Sequence, residues 1–114
     1  MAKIKHIEVA GPDGGRLKSF YGDLFHWDMK RRDIAGFDYY DLQGGSEPSL
    51  GIRHEPQGSA EIVIYIEVDD LEGTVEKAQK LGASVRIPPM EHEGLRFALV
   101  EDPEGNPVGL TQAT

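Results

Sequence analysis

Polar and apolar residues alternate most clearly over Glu61–Asp70, EIVIYIEVDD. Ile62, Ile64, Ile66 and Val68 fall on one side, and Glu61, Val63, Tyr65 and Glu67 on the other. A two-residue period of this kind predicts a β-strand with one buried face. The same stretch is where the chain starts again, because a strand, a helix and a run of further strands precede it and follow it. Before it, KIKHIEV (Lys3–Val9) reads as a strand with Ile7 and Val9 on one face and His6 and Glu8 on the other. The turn AGPDGG follows, with Asp13 placed as a helix N-cap. Leu17, Phe20, Tyr21, Leu24 and Phe25 then recur at helical spacing over Arg16–Phe25. GFDYYDL (Gly36–Leu42) and PSLGIR (Pro48–Arg53) read as strands.

Glu55–Ser59 is a linker by composition. After the Glu61 strand, Asp69-Asp70 leads into a helix over Leu71–Leu81, stopped by Gly82. Ala83–Ile87 is a short strand, and Pro88-Pro89 opens a loop reaching Gly94. Leu95–Val100 is a strand, Asp102–Asn106 a turn, and Pro107–Thr111 a closing strand.

The two halves superpose in the order of their elements. His6-Ile7-Glu8-Val9 falls on Val63-Ile64-Tyr65-Ile66 at an offset of 57, and Leu50-Gly51-Ile52 falls on Val108-Gly109-Leu110 at 58. Each half reads βαβββ and is too small to bury its own sheet face, so the expectation is one α+β domain over residues 1–114, with modules at about 1–55 and 60–114.

Composition narrows the function classes. The chain has 114 residues, 39% of them hydrophobic, and no cysteine, which excludes disulfides and thiolate metal sites. No apolar run is long enough for a signal peptide or a membrane span, so a cytoplasmic protein is expected. The net charge of −8 is uneven. Residues 1–57 hold 8 basic and 9 acidic side chains, residues 58–114 hold 4 and 11. Such a surface repels nucleic acid and anionic membrane. The one basic cluster, Lys30-Arg31-Arg32, reads as a solvated turn.

The stretches IYIEVDDLEGTVEKAQKLGA, EDPEGNPVGL and SFYGDLFHW together resemble the vicinal oxygen chelate superfamily, which includes glyoxalase I, bleomycin-resistance proteins and extradiol dioxygenases. The resemblance covers nearly the whole chain, and the Asp-Pro-x-Gly-Asn turn followed by a Gly-Leu pair is its most specific part. It implies paired βαβββ modules whose mixed sheets form an open cup, usually supported by a homodimer. It also implies four metal-ligand positions, one from the first and one from the last strand of each half. Carried onto this chain, these are His6, Gly51, Val63 and Gly109, of which only His6 is a ligand type. One imidazole does not make a metal site.

The leading expectation is therefore a small-molecule-binding protein of this superfamily with no cofactor. The alternative is a divalent-metal-dependent lyase, isomerase or dioxygenase, in which His6, Glu8 and Glu67 would share the ion. Strand parity puts Glu8, Ser49, Arg53, Tyr65, Glu67, Pro107 and Thr111 on the face of His6. His6 is a candidate general base and Glu67 a candidate partner carboxylate. The other reading of His6 is a strand histidine paired with Glu8 or Glu67. Arg53 could bind a ligand carboxylate or phosphate, or pair internally with Glu8 or Glu67. Tyr65 offers a ring and a hydroxyl. Trp27, Tyr39 and Tyr40 are candidates for the mouth of the cup, and Met90 and His92 for a lid on the loop Pro88–Gly94. His54 and His92 otherwise read as surface histidines.

Overall fold

The computed structural model describes residues 2–34 and 36–114. The elements run β1 (Lys3–Gly11), α1 (Gly14–Phe25), β2 (Met29–Ile34), β3 (Phe37–Leu42), β4 (Ser49–His54), β5 (Glu61–Val68), α2 (Leu71–Lys80), β6 (Ser84–His92), β7 (Leu95–Glu101) and β8 (Pro107–Gln112). This is the α+β class with the βαβββ pattern run twice. Two compact units divide the chain within strands, one covering His6–Val63 and the other containing Ile64–Thr114. The break thus falls at the start of β1 and inside β5 rather than at the linker of 55–59.

In the first module the strand order is β2-β3-β4-β1. β1 runs parallel to β4, with His6 opposite Ser49 and Glu8 opposite Gly51. β3 is antiparallel to β4 and to β2. α1 covers one face of β3 and β4. Its apolar stripe, Leu17 and Tyr21, joins Trp27, Val9, Leu42 and Leu50 around the buried Met29, Tyr40 and Ile52. The helix starts where Asp13 Oδ1 accepts from the Arg16 amide at 3.0 Å, a capped N-terminus of the predicted kind.

The second module repeats the plan in the order β5-β8-β7-β6. β5 and β8 are parallel, with Tyr65 opposite Gly109, and β7 is antiparallel to β8 and β6. α2 begins at Asp70, whose side chain accepts from the Gly73 amide at 3.0 Å. Its Leu71 and Val75 pack with Ala98, Val100 and Leu110, flanked by Ile66, Val68, Val85 and Val108. None of the described helices is long and apolar enough to cross a membrane.

Two sequence expectations are corrected. Lys30-Arg31-Arg32 lies within strand β2 rather than in a turn. β2 has only β3 as partner, and its arginines reach across to β3 carboxylates, Arg31 to Asp38 and Arg32 to Asp41. Pro88–Gly94 is not a loop either. β6 continues through both prolines to His92, with register shifts on either side of Ile87, and Glu93-Gly94 forms a tight hairpin turn into β7. Both turn residues have positive φ, at 50° and 84°, as a two-residue hairpin of this hand requires. Met90 and His92 therefore sit in strand register opposite Phe97 and Leu95, not on a mobile lid.

Candidate functional site

The helix-free face of the first module carries the chemistry. Because Val9, Tyr40, Leu42, Leu50 and Ile52 point toward α1, strand alternation turns His6, Glu8, Tyr39, Ser49, Gly51 and Arg53 the other way. Glu8 is the one buried charged side chain among the described residues, only 5% exposed. Its Oε1 receives Arg53 Nη1 at 2.5 Å, and its Oε2 receives the Tyr39 hydroxyl at 3.0 Å. Arg53 Nη2 also donates to Glu61 at 2.7 Å, and its Nε lies 3.5 Å from Glu55. The guanidinium is thus engaged on every side by carboxylates, and the four groups together carry a formal charge of −2.

His6 is held at both ring nitrogens. Nδ1 lies 2.6 Å from Ser49 Oγ, and Nε2 lies 2.7 Å from the Tyr39 hydroxyl. The proton positions follow from Glu8. A carboxylate paired with Arg53 only accepts, so Tyr39 gives it the hydroxyl proton. The Tyr39 oxygen then accepts from His6 Nε2–H. That leaves the lone pair on Nδ1, which accepts from Ser49. Burial pushes the imidazole below its ordinary value, with Asp41 working against it and Arg32 in the same direction, which favours the neutral ring. The chain Ser49–His6–Tyr39–Glu8 runs from an exposed hydroxyl to a buried ion pair.

The two glycines at the carried-over ligand positions have a packing reason. A Cβ at Gly51 would lie under 3 Å from the hydroxyl and ring carbons of Tyr39, and one at Gly109 equally close to the ring of Tyr65. Each glycine is the floor under a tyrosine ring. Val63, the third position, is fully buried and apolar. Only His6 has a ligand atom, and both of its nitrogens are engaged. Among the described residues no group of three or more His, Asp or Glu side chains is arranged to hold a metal ion. The residues present do not fit the four-ligand site that the fold implies.

The sequence-predicted residues divide accordingly. His6, Glu8 and Arg53 come together in one network, and Arg53 makes an internal pair, with Glu61 as an unforeseen partner. Tyr65 and Glu67 stand on the corresponding face of the second module, Tyr65 across Gly109. Tyr40 and Trp27 do not belong to this face: Tyr40 is buried under α1, and Trp27 stacks on Tyr21 at 6.3 Å. One-residue parity decides it, because Tyr39 and Tyr40 must point oppositely and Tyr39 is the one facing His6. Tyr39 and Ser49 were the residues given too little weight. The signal was present in the parity of Ser49 with His6 and in the need for a small residue at 51.

A family model described as a glyoxalase-like domain matches residues 6–111. The chain belongs to this glyoxalase-like family. CFP32 of Mycobacterium tuberculosis, which bears a provisional glyoxylase name, is 29% identical over 94% of this chain and 44% of its own length. The chain thus spans less than half the length of the curated relatives it matches. Among solved structures, the hypothetical protein BH1468 of Bacillus halodurans superposes with a TM-score of 0.74 at 16% identity, covering 99% of this chain and 95% of that one. Methylmalonyl-CoA epimerase of Streptomyces coelicolor, solved in complex with 2-nitronate-propionyl-CoA, gives 0.70 at 15% identity over 98% and 97%. These likenesses show the vicinal oxygen chelate fold.

Proposed function

We propose that this glyoxalase-like protein binds a small, uncharged organic molecule on the polar face of its first module and does so without the metal ion of its superfamily. The observation that carries the reading is the pair of tyrosine rings lying across Gly51 and Gly109, where the fold implies metal ligands. A side chain able to reach an ion cannot be added at either place without evicting a ring. The sequence leaves Arg53 either to an acidic or polar ligand group or to an internal pair. The three carboxylates around that guanidinium favour a neutral ligand instead, since an anion would have to displace one of them against the remaining charge. His6 and Ser49 are the groups at the open end that a polar ligand would meet.

The test has two readings taken on one preparation. Elemental analysis of protein purified without an affinity tag is expected to find no stoichiometric divalent ion, and added nickel, manganese, zinc or iron(II) is expected to leave Tm unchanged. A panel of small neutral carbonyl compounds is expected to raise Tm where matched carboxylates do not. One ion per chain, with a raised Tm, would overturn the proposal. We also propose self-association, since Phe20, Leu24 and Phe25 of α1 remain 57%, 56% and 50% exposed. Light scattering at the monomer mass across the micromolar range would reject it.

A further inference from the structure

We propose that Ser49 is an activated nucleophile, with His6 as its general base, able to take the acyl group of an activated ester or thioester. The inference rests on the metal-free reading of His6, since an ion on the imidazole would remove the base. Three features meet here that seldom coincide by packing alone: a solvent-exposed hydroxyl, a base within hydrogen-bond reach, and a third group that orients the base. Ser49 Oγ is 2.6 Å from His6 Nδ1, and the far nitrogen is fixed at 2.7 Å by Tyr39, itself tied at 3.0 Å to Glu8. Glu8 in turn cannot swing away, because Arg53 holds its other oxygen. The tautomer deduced above leaves the Nδ1 lone pair aimed at the serine proton.

The step balances with these groups and water alone. Ser49 Oγ attacks the acyl carbon while its proton passes to His6 Nδ1. The bond from the acyl carbon to the leaving oxygen or sulfur breaks, and the imidazolium returns the proton to that atom. Water, deprotonated by His6, then attacks the acyl-serine and releases the carboxylic acid with Ser49 restored. Glu8 and Tyr39 are positioning residues. They hold the imidazole in the right tautomer and steady the imidazolium, and neither touches the acyl group.

The test uses the full chain with two probes, p-nitrophenyl acetate and a fluorophosphonate. Wild type is expected to gain one phosphonyl group per chain, mapped by peptide mass spectrometry to Ser49, and to hydrolyse the ester. Ser49→Ala should abolish the adduct, whereas Ser46→Ala, outside the relay, should keep it. His6→Gln should lower ester turnover by about 100-fold or more. Tyr39→Phe, which keeps the ring over Gly51, should lower kcat with KM unchanged. No adduct on wild type, an adduct elsewhere, or equal labelling of Ser49→Ala overturns the inference. The same samples are scored for metal and for a ligand-induced Tm shift. A metal ion on His6 sinks both this inference and the binding proposal. Metal-free protein that is stabilised by a neutral ligand but never labelled sinks the acyl step alone.

Discussion

The two modules share one backbone plan and place different chemistry on it. At the third polar-face step the first strand of the first module, β1, carries Glu8 and that of the second, β5, carries Tyr65, 57 residues later. In the first module the ring across the closing-strand glycine comes from β3, as Tyr39. In the second it comes from β5, as Tyr65 itself, and the position matching Tyr39 is Phe97, which pairs with Thr111 as Tyr39 pairs with Arg53. With the tyrosine on β3 instead of the first strand, that position of β1 holds a buried carboxylate, and the carboxylate brings Arg53 and Glu61 with it. Duplication thus preserves the glycine-and-ring packing while changing which strand supplies the ring. The second module keeps a packed floor, and the first gains an ionised network.

Removing the partner of the buried carboxylate is expected to break the comparison most severely. Arg53→Met would leave the Glu8 carboxyl at 5% exposure without its cationic partner, a change worth about 3–5 kcal/mol of stability. Urea unfolding measures it, and adding Glu8→Gln to the same chain should recover most of the loss. A cost near zero would mean that the ion pair does not organise the module. The next effect compares the two glycines. Gly109→Ala must push Tyr65 aside, for about 1–3 kcal/mol of overpacking. Gly51→Ala should cost more, by about 1 kcal/mol for each hydrogen bond that Tyr39 loses to His6 and Glu8. Equal losses at the two sites would show that the Tyr39 hydroxyl adds nothing.

Both modules were legible in the sequence where burial imposes a period. β5 as a strand, the two helices and both aspartate caps follow from alternation, helical spacing and local hydrogen-bonding chemistry, and the repeat follows from their order. The face expected to be buried in β5 is corrected at its start, where Ile62 and Ile64 are 60% and 41% exposed and Val63 on the other side is fully buried. β2 and β6, where the structure departs from the sequence expectation, each pair with one strand among the described residues. A strand of this kind has one row of backbone groups outside the ladder, so it tolerates Pro88-Pro89 and a run of charges that would be excluded from a central strand. β2 puts only Met29 into the core and otherwise meets β3 through exposed cross-strand ion pairs, and pairs between residues distant in sequence leave no local signal. The candidate site was half legible. Parity gathered His6, Glu8, Ser49 and Arg53 on one face. It could not say that Arg53 would be consumed by three carboxylates, because Glu61 reaches it only across the turn that Gly58 N closes on Glu55 O, and Glu55 lies beyond the strand. Nor could it say which of two adjacent tyrosines would face His6, since that follows from the pairing of β3 with β4, where Tyr39 falls opposite Arg53 and Tyr40 opposite Ile52.

The helix starts serve as the control for the comparison, because there the modules are alike. Asp13→Ala and Asp70→Ala each delete a cap that accepts at 3.0 Å from an amide three residues on. Each should cost about 1 kcal/mol, and the two losses should agree within a few tenths by thermal or urea unfolding. A large inequality would place the difference between the modules in their helices as well as in their polar faces.

The smallest expected effect separates the modules by pH, since His6 of the first is matched by Val63 of the second and only the first can titrate there. Burial lowers the His6 pKa in the folded chain, so near and below the ordinary histidine value of about 6.5 the unfolded chain binds the proton first. The contribution of His6 to stability is therefore fully present above that value and is lost as pH falls toward the lowered folded pKa. The charged groups around the imidazole are Asp41 and Arg32, which act on it in opposite directions, and the Glu8–Arg53 pair beyond Tyr39. Protonated Nδ1 could no longer accept from Ser49, which ties the same loss to the geometry of the relay. Urea titrations at closely spaced pH values should show stability falling below neutrality in wild type. In His6→Gln this component of the slope should vanish. A slope of the same size in the variant would assign it to carboxylates, and the His6 environment would then have to be as accessible to the proton folded as unfolded.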